Sequence, residues 1–186
     1  MRPQMKLPLA TRFVDRGFGE RMPGVIRVSS DQNLRYRPTD EDRGWDWWGI
    51  YLECRASPGW YECYAALALY DLQGLEVLGL EAKKTSVGDA ITVDYLSTNP
   101  ANRNLDRGLK HVGLALMAAA IARSRERGTR GSLWLESLPG ATEFYESLGM
   151  VRQRRRSAEG NLIYLLEPGT AEQLLDEINA QGIVVI

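Results

Sequence analysis

Polar and apolar positions alternate through the middle of the chain in a pattern typical of short β-strands joined by tight turns. The sequence reads YECYAALALYD, LQG, LEVLGLEAKKT, SVGD and AITVDYLST in succession. Tyrosine, leucine, valine and threonine favour strands, whereas the short glycine-containing segments favour turns. The pattern predicts an antiparallel meander of three strands, over residues 61–71, 75–85 and 90–98, with turns at residues 72–74 and 86–89.

A helical period replaces this alternation after a loop over residues 99–108. Small or apolar residues then recur at a spacing that would face a sheet, at Leu109, Gly113, Leu116, Met117, Ala120 and Ser124. Gly128 ends this predicted helix. The remaining sequence predicts a strand at 132–138, a helix at 141–148, a hairpin at 150–168 and a final helix capped by Thr170.

The N-terminal part has a weaker pattern. Proline and glycine break the first 38 residues, which predicts an irregular arm with possible short strands at residues 24–28 and 33–37. Residues 40–56 favour a helix with Thr39 or Asp40 as N-cap, although a strand over residues 47–55 competes.

Length and composition indicate one globular domain. The chain has 186 residues, 44% of them apolar and 25% charged, with a formal net charge of −1. We expect an arm over residues 1–38, a main body over 39–168, and a C-terminal helix and tail over 169–186 packed on that body. No apolar run approaches the roughly 20 residues of a membrane helix, and the N-terminus lacks the apolar segment of a secretory signal. These features predict a cytoplasmic protein without membrane contact.

Residue types narrow the chemistry. The chain has two cysteines and one histidine, so a Cys/His zinc site or a Ser-His-Asp triad is hard to assemble, and we expect no metal. Charge is uneven: residues 102–156 carry 11 basic and 5 acidic side chains, a sum of +6. This basic block is either a set of solvated helix faces or the site of an anionic ligand.

The junction between the third strand and the long helix is a candidate phosphate site. We expect the helix to begin near Gly108, and a helix N-terminus attracts phosphate through unpaired N–H groups. Gly108 and Gly113 would bracket its first turn, and Arg103, Arg107 and Lys110 would add positive charge. The alternative is that the glycines simply permit close packing of helix on sheet.

Tyr145, within FYESLG, is a candidate proton donor. Ala141, Phe144 and Leu148 form the expected buried stripe of their helix, and Tyr145 lies about 100° from Phe144 around the axis. At the edge of the stripe its ring could pack while its hydroxyl reaches a cleft. The alternative is an amphipathic tyrosine with its hydroxyl bonded elsewhere.

Four segments together give the chain a family resemblance. AITVDYLST, GLKHVGLALMAAAIARSRERG, SLWLESLPGATEFYESLGM and NLIYLLEP resemble the GNAT superfamily of acyl-CoA-dependent N-acetyltransferases. The resemblance covers roughly residues 62–168 and is strongest over 91–150, and LRYRPTDED resembles the family's opening strand and helix cap. It implies an α/β (α+β) fold with a mixed, mostly antiparallel central sheet flanked by helices. The N-terminal helical region would be shortened and the C-terminal helix would be an addition.

The resemblance also implies a site for acetyl-CoA as co-substrate. Pantetheine would lie beside residues 91–97 and bond to the main chain near Leu96 and Ser97, and Tyr145 would protonate the departing thiolate. The family's pyrophosphate motif matches in two registers, one reading Lys110, His111, Val112, Gly113, Leu114 and Ala115, the other placing Gly108 and His111 at the earlier positions and Gly113 last. Lys110 replaces the family's arginine or glutamine in the first register.

The implied reaction is acetyl transfer from acetyl-CoA to a primary amine on a small molecule, peptide or protein. Asp94, Glu81 and Glu136 are candidate bases, each with an ordinary structural role as the alternative. A catalytically degenerate module that senses CoA or binds a partner is the rival from another class, and a homodimer is possible. The run RQRRR at residues 152–156 would distinguish an enzyme acting on aminoacyl-tRNA, although a solvated edge strand accounts for it equally simply.

Overall fold

A mixed sheet of nine strands forms the centre of the computed structural model, which describes residues 8–31, 34, 44–103 and 106–184. The strands are β1 (Leu9–Asp15), β2 (Arg21–Val28), β3 (Tyr61–Ala68), β4 (Asp71–Thr85), β5 (Gly88–Thr98), β6 (Leu109–Lys110), β7 (Leu133–Ser137), β8 (Val151–Arg156) and β9 (Leu162–Leu166). The α-helices are α1 (Trp47–Ala56), α2 (Val112–Arg127), α3 (Thr142–Ser147) and α4 (Pro168–Ala180). Within the described residues, no helix combines the length and apolarity needed to cross a bilayer.

Among the described residues the strand order is β6-β1-β2-β3-β4-β5-β7-β9-β8, and of these strand pairs only β5–β7 is parallel. Two apolar layers cover the two faces of this sheet. Helix α2 lies on one face, where it contributes an almost continuous buried run from Ala115 to Ala122, and α4 packs beside it. Helix α1 covers the other face with Trp47, Tyr51 and Cys54. The mixed, mostly antiparallel sheet flanked by helices confirms the predicted fold class.

The N-terminal arm is more regular than we predicted. Strands β1 and β2 form an antiparallel hairpin that belongs to the central sheet. Pro23 is tolerated in β2 because the β2–β3 pairing begins only at Gly24, so proline's missing N–H interrupts no ladder on that side. The possible strand at residues 24–28 is confirmed as the end of β2, whereas residues 33 and 35–37 lie outside the described part.

Helix α1 confirms the helical interpretation of residues 47–55 and excludes the competing strand. Asp46 is the N-cap, and its side chain accepts a hydrogen bond from the Gly49 N–H. The predicted caps Thr39 and Asp40 fall among residues that the structure does not describe. Trp45 and Trp47 are buried, and their side chains pack this helical region against the sheet.

The meander is confirmed, but its first turn is displaced. The turn falls at Leu69 and Tyr70, both with positive φ, and not at residues 72–74. Gly74 instead lies inside β4, where a Cβ atom would approach Val112 Cγ1 to 2.8 Å and Leu116 Cδ1 to 3.0 Å. This glycine therefore lets α2 lie close on the sheet rather than turning the chain.

We expect Gly74→Val to lower the free energy of unfolding by about 1–3 kcal/mol, because the added side chain must displace α2. Urea denaturation would measure the change. Gly140→Val is the matched control, since a Cβ at Gly140 meets nothing within 4 Å. Equal effects of the two substitutions would contradict the packing role of Gly74.

Two predicted boundaries in the C-terminal half are corrected. Helix α2 begins at Val112, because Leu109 and Lys110 pair with β1 as strand β6 and Leu109 is not part of the helical stripe. The last helix begins at Pro168 with Glu167 as N-cap, so Thr170 does not cap it. Proline suits the first helical position, where no N–H bond is lost.

The described C-terminal tail packs on its own chain. Val184 bridges Thr11 of β1, and Ile183 accepts a hydrogen bond from the Arg12 N–H at 2.8 Å. Both Ile183 and Val184 are buried. The edge of β1 is thus bordered by β6 at one end and by residues 183–184 at the other.

Candidate active site

The sheet opens between β5 and β7. The parallel pairing runs only from Ile91 to Val93 on β5, yet that strand continues to Thr98. Val93 pairs with Leu78 and Tyr95 pairs with Val77, so Asp94 is an extra residue that bulges β5 where the pairing with β7 ends. Beyond the bulge, β5 has no β7 partner among the described residues, and its main-chain groups on that side face the opening. Bulges of this kind are frequent beside active sites.

The N-terminus of α2 lies beyond the end of β5. Its N-cap, His111, has a left-handed backbone and makes no side-chain capping bond. The first N–H bonded back within the helix is that of Ala115, which donates to the His111 carbonyl at 2.8 Å. The N–H groups of Val112, Gly113 and Leu114 therefore have no acceptor inside the helix. This turn, starting later than predicted, has the donors that a phosphate requires.

The segment that connects β5 to α2 is anchored by asparagines. The Asn99 side chain donates to the Leu72 carbonyl at 3.1 Å, and the buried Asn102 side chain accepts from the Leu109 N–H at 2.8 Å. Arg103 Nη2 donates to Ser97 Oγ at 3.3 Å. Ser97 and Arg103, both predicted site residues, are thus brought together at the end of β5.

Other predicted cofactor residues lie further from this junction or are already engaged. Gly108 has a φ of +83° and its carbonyl accepts from the Arg16 N–H, so it shapes a turn instead of opening a helix. Arg107 is exposed, and Lys110 is exposed on the edge strand β6. Ala115 is fully buried and its N–H is used. Within the predicted motif, Val112, Gly113 and Leu114 retain available backbone donors.

Gly113 has a packing role that the sequence left open. A Cβ atom there would lie 3.2 Å from the Phe144 Cζ atom of α3. The glycine therefore brings the first turn of α2 against α3, the helix that also carries Tyr145. Gly113 thus permits packing against a helix rather than against the sheet, and the two predicted site elements are neighbours.

Tyr145 is more enclosed than its predicted edge position suggested. Its side chain is 6% exposed, less than that of the half-buried Phe144, and its ring lies 6.0 Å from that of Tyr164. The Tyr145 hydroxyl makes no hydrogen bond to a described residue. Burial, with a smaller contribution from the charge of Glu76, raises the pKa of Tyr145 to about 12. The phenol therefore remains protonated over the physiological range, as a proton donor must.

Glu76 is a buried carboxyl group, close enough to affect the pKa of Tyr145, that the sequence did not predict. It lies in β4 opposite Leu96 of β5 and Tyr64 of β3, is 0% exposed, and has both carboxyl oxygens without a partner in the described part of the chain. Burial raises its pKa well above the ordinary glutamate value of 4.5. The signal was present as one carboxylate in the apolar run LEVLGL.

The predicted base candidates occupy different surroundings. Asp94 is exposed on the β5 bulge, with its carboxylate beside Gly79 on the α1 face of the sheet. Glu81 and Glu136 are exposed on β4 and β7. Asp94 and Glu136 each directly follow the last pair of the parallel ladder, Val93 and Leu135, so both adjoin the point where β5 and β7 separate. Among the described residues, no group of three or more His, Cys, Asp or Glu side chains is placed to hold a metal ion.

The arginine-rich run forms β8, the outermost strand at one end of the sheet. Its arginines are exposed, and the Arg155 guanidinium lies 5.1 Å from the Trp134 ring centroid. Lys83 Nζ lies 4.6 Å from the centroid of the same ring. Positive charge therefore covers this edge strand and its neighbouring aromatic surface, an arrangement that also discourages edge-to-edge association.

Comparison with solved structures identifies the fold. AtaT toxin bound to the C-terminus of the antitoxin AtaR and acetyl-CoA has a TM-score of 0.53 and 14% identity, covering 81% of this chain and 97% of that one. A protein described as a GNAT-family acetyltransferase from Desulfovibrio desulfuricans gives 0.54 and 19%, covering 78% and 99%. FeeM, an N-acyl amino acid synthase from uncultured soil microbes, gives 0.56 and 13%, covering 81% and 94%.

The chain therefore has the GNAT fold, as its sequence motifs implied. No protein-family profile matches the chain, and no curated protein matches it in sequence. At identities of 13–19% the likeness defines the architecture, and the activity has to be argued from the site itself.

Proposed function

We propose that this protein is an acyl-CoA-dependent N-acyltransferase that moves an acetyl group from acetyl-CoA to a primary amine. The observation that carries the proposal is the separation of β5 from β7 at the Asp94 bulge. This separation leaves strand main chain facing an opening, with the uncapped N-terminus of α2 at one end and α3, which carries Tyr145, beside that terminus. The AtaT structure that contains acetyl-CoA has a similar architecture.

The residues present fit the co-substrate. The free N–H groups of Val112, Gly113 and Leu114 suit a pyrophosphate, and Arg103 adds positive charge to the same junction. Main-chain groups near Leu96 and Ser97 would hold the pantetheine arm. Acetyl-CoA supplies an activated acyl carbon with a thiolate leaving group, and the role left to the protein is to orient, polarise and move protons.

Three tasks fall to named groups. A β5 main-chain N–H beyond the bulge would polarise the thioester carbonyl and stabilise the developing oxyanion. Tyr145 would donate its phenolic proton to the leaving sulfur, because burial keeps that proton bound at neutral pH. Asp94 is our candidate to take the proton from the attacking ammonium, directly or through water, since its exposed carboxylate adjoins the opening.

We expect calorimetric titration with acetyl-CoA to give dissociation constants in the micromolar range or below. Gly113→Leu should weaken this binding by about tenfold or more, because the added side chain meets Phe144 and shifts the first turn of α2. Gly140→Leu is the control, since open space surrounds that position. Equal affinity of Gly113→Leu and the wild type would contradict the placement of the phosphates.

Two alternatives remain as distinct outcomes of the same work. Folded protein that fails to bind acetyl-CoA would favour a degenerate module that binds a macromolecular partner. The exposed arginines of β8 are the observation that favours an aminoacyl-tRNA acceptor. Binding of tRNA that falls steeply with salt, and that weakens when Arg154 and Arg156 become glutamine, would support that acceptor. Salt-insensitive binding would count against it.

A further inference from the structure

A notch in the outer edge of the sheet lies beside the N-terminus of α2. It forms where β6 and the C-terminal segment border β1 and leave a gap between them, next to Val14. The cavity measures about 210 Å³ and is lined by Arg12, Val14, Arg21, His111, Gln181, Gly182 and Ile183. His111 directly precedes Val112, so the notch adjoins the junction that we assign to CoA.

The lining of this notch is cationic. Arg12 and Arg21 project from facing strands, since Arg21 pairs with Val14 two residues beyond Arg12 on β1. Neither arginine has an ion pair with a described residue, and no acidic side chain lines the cavity. The nearby Asp15 carboxylate accepts hydrogen bonds from the N–H groups of Gly17 and Phe18, so this acid is already engaged in a local turn.

His111 also lines the notch, and one of its ring nitrogens makes no hydrogen bond to a described residue. Its Nδ1 atom is buried without a hydrogen-bond partner in the described part. Burial, followed by the charges of Lys110 and Arg16, lowers the pKa of the imidazole. Positive charge beside the ring disfavours the imidazolium, and a bound anion would offset that charge.

We propose that the notch binds an oxyanionic group of a small ligand, held by Arg12, Arg21 and His111. Two guanidinium groups and an imidazole offer donors to several oxygens at once, which favours phosphate over carboxylate. The volume is below the roughly 300–1,000 Å³ of pockets for drug-sized molecules, so it suits a phosphate group with a small organic body. Val14 and Ile183 supply an apolar wall for that body.

The site also bears on the helix beside it. His111 is the N-cap of α2, so the residue that would contact the anion directly precedes the turn whose N–H groups we assign to CoA. CoA itself carries phosphates, and the experiment must therefore separate a site for an independent anion from a contact with the co-substrate.

The test is calorimetric titration with sodium phosphate at an ionic strength held constant with sodium chloride, with acetate in a parallel arm. We expect saturable phosphate binding that is stronger than acetate binding. Arg21→Gln and Arg12→Gln should each weaken it by about 10- to 100-fold, because each substitution removes a charge-assisted hydrogen bond to the anion. Arg27→Gln, on the exposed part of β2, is the matched control and should leave the affinity unchanged.

Competition with CoA supplies the second readout. If the site is independent, phosphate binds equally well to protein saturated with CoA or with dephospho-CoA. Loss of phosphate binding in the presence of CoA but not of dephospho-CoA would overturn the proposal by assigning the notch to the co-substrate. If Arg21→Gln, Arg12→Gln and wild type bind phosphate with equal affinity and have unchanged circular dichroism, the bound phosphate is an adventitious ion only, and the proposal is overturned. The comparison of the arginine variants depends neither on acyl transfer nor on CoA binding, so its result is separate from the fate of the proposed function.

Discussion

Replacing Glu76 with leucine is expected to raise the free energy of unfolding at pH 7 by about 1–3 kcal/mol. A buried carboxyl group with no hydrogen-bond partner carries a desolvation penalty of that size, which a side chain of similar volume without polar atoms avoids. At about 2–4 °C per kcal/mol the midpoint of thermal unfolding should rise measurably. Glu81→Leu, on the exposed end of the same strand, is the control and should change stability little.

The free energy of unfolding of Glu76→Leu should also depend less on pH than that of the wild type. The pKa of Glu76 is raised in the folded protein, so the unfolded chain ionises first as the pH rises. Below about pH 4.5 Glu76 is protonated in both states and its ionisation does not lower stability. As the pH rises from there toward the folded-state pKa, ionisation in the unfolded chain lowers the free energy of unfolding. The stability difference between Glu76→Leu and wild type should widen over that interval. A difference that is constant with pH, or a destabilised variant, would show that Glu76 has a partner in solution.

Tyr145→Phe is expected to reduce the turnover of acetyl-CoA by about 100-fold or more with little change in the affinity for CoA. The reason is that a positioned general acid contributes about 10²- to 10⁴-fold to a rate, whereas the ring that packs beside Tyr164 is retained. Release of the CoA thiol during incubation with a panel of primary amines would measure turnover, and calorimetry would measure affinity.

Tyr164→Phe is the control for Tyr145. It removes a hydroxyl from the adjoining ring, but that hydroxyl donates to Glu146 at 2.8 Å and is already satisfied. We expect near-normal turnover from this variant. Because the pKa of Tyr145 is raised to about 12, wild-type turnover should show no loss from phenol ionisation below about pH 10. Equal turnover of Tyr145→Phe and wild type would remove Tyr145 from the mechanism.

The predictable part of the fold is the part whose residues repeat at a regular period. The meander, α2 and the final hairpin follow from alternation and helical spacing. The predicted position of the first turn was wrong because Gly74 was interpreted as a turn residue. The turn is instead made by Leu69 and Tyr70, which take positive φ values that sequence propensity does not favour. The β1–β2 hairpin was missed because Pro23 argues against a strand. Proline is tolerated at this position because β3 does not pair with Pro23.

The candidate site was predicted to the extent that local motifs define it. Tyr145, Ser97 and the turn at Val112–Leu114 follow from segments whose spacing is informative. Glu76 could not be identified in this way, because its lack of a hydrogen-bond partner depends on which side chains the neighbouring strands place around it. Glu62 illustrates the difference: it is a partly buried glutamate on the adjoining strand, and Arg123, 61 positions away, holds it through two hydrogen bonds. Sequence pattern does not distinguish the two glutamates.

The pairing of β1 with residues 183–184 and with β6 has a consequence for biosynthesis. During translation β1 leaves the ribosome well before residues 109–110 and 183–184, which are its outer partners. Until they arrive, the outer backbone groups of the strand remain available to any other extended chain. The nascent protein should therefore be most prone to aggregation in the interval before residues 183–184 emerge. A chaperone that shields this strand at that stage would protect the folding yield without contributing to the stability of the finished protein.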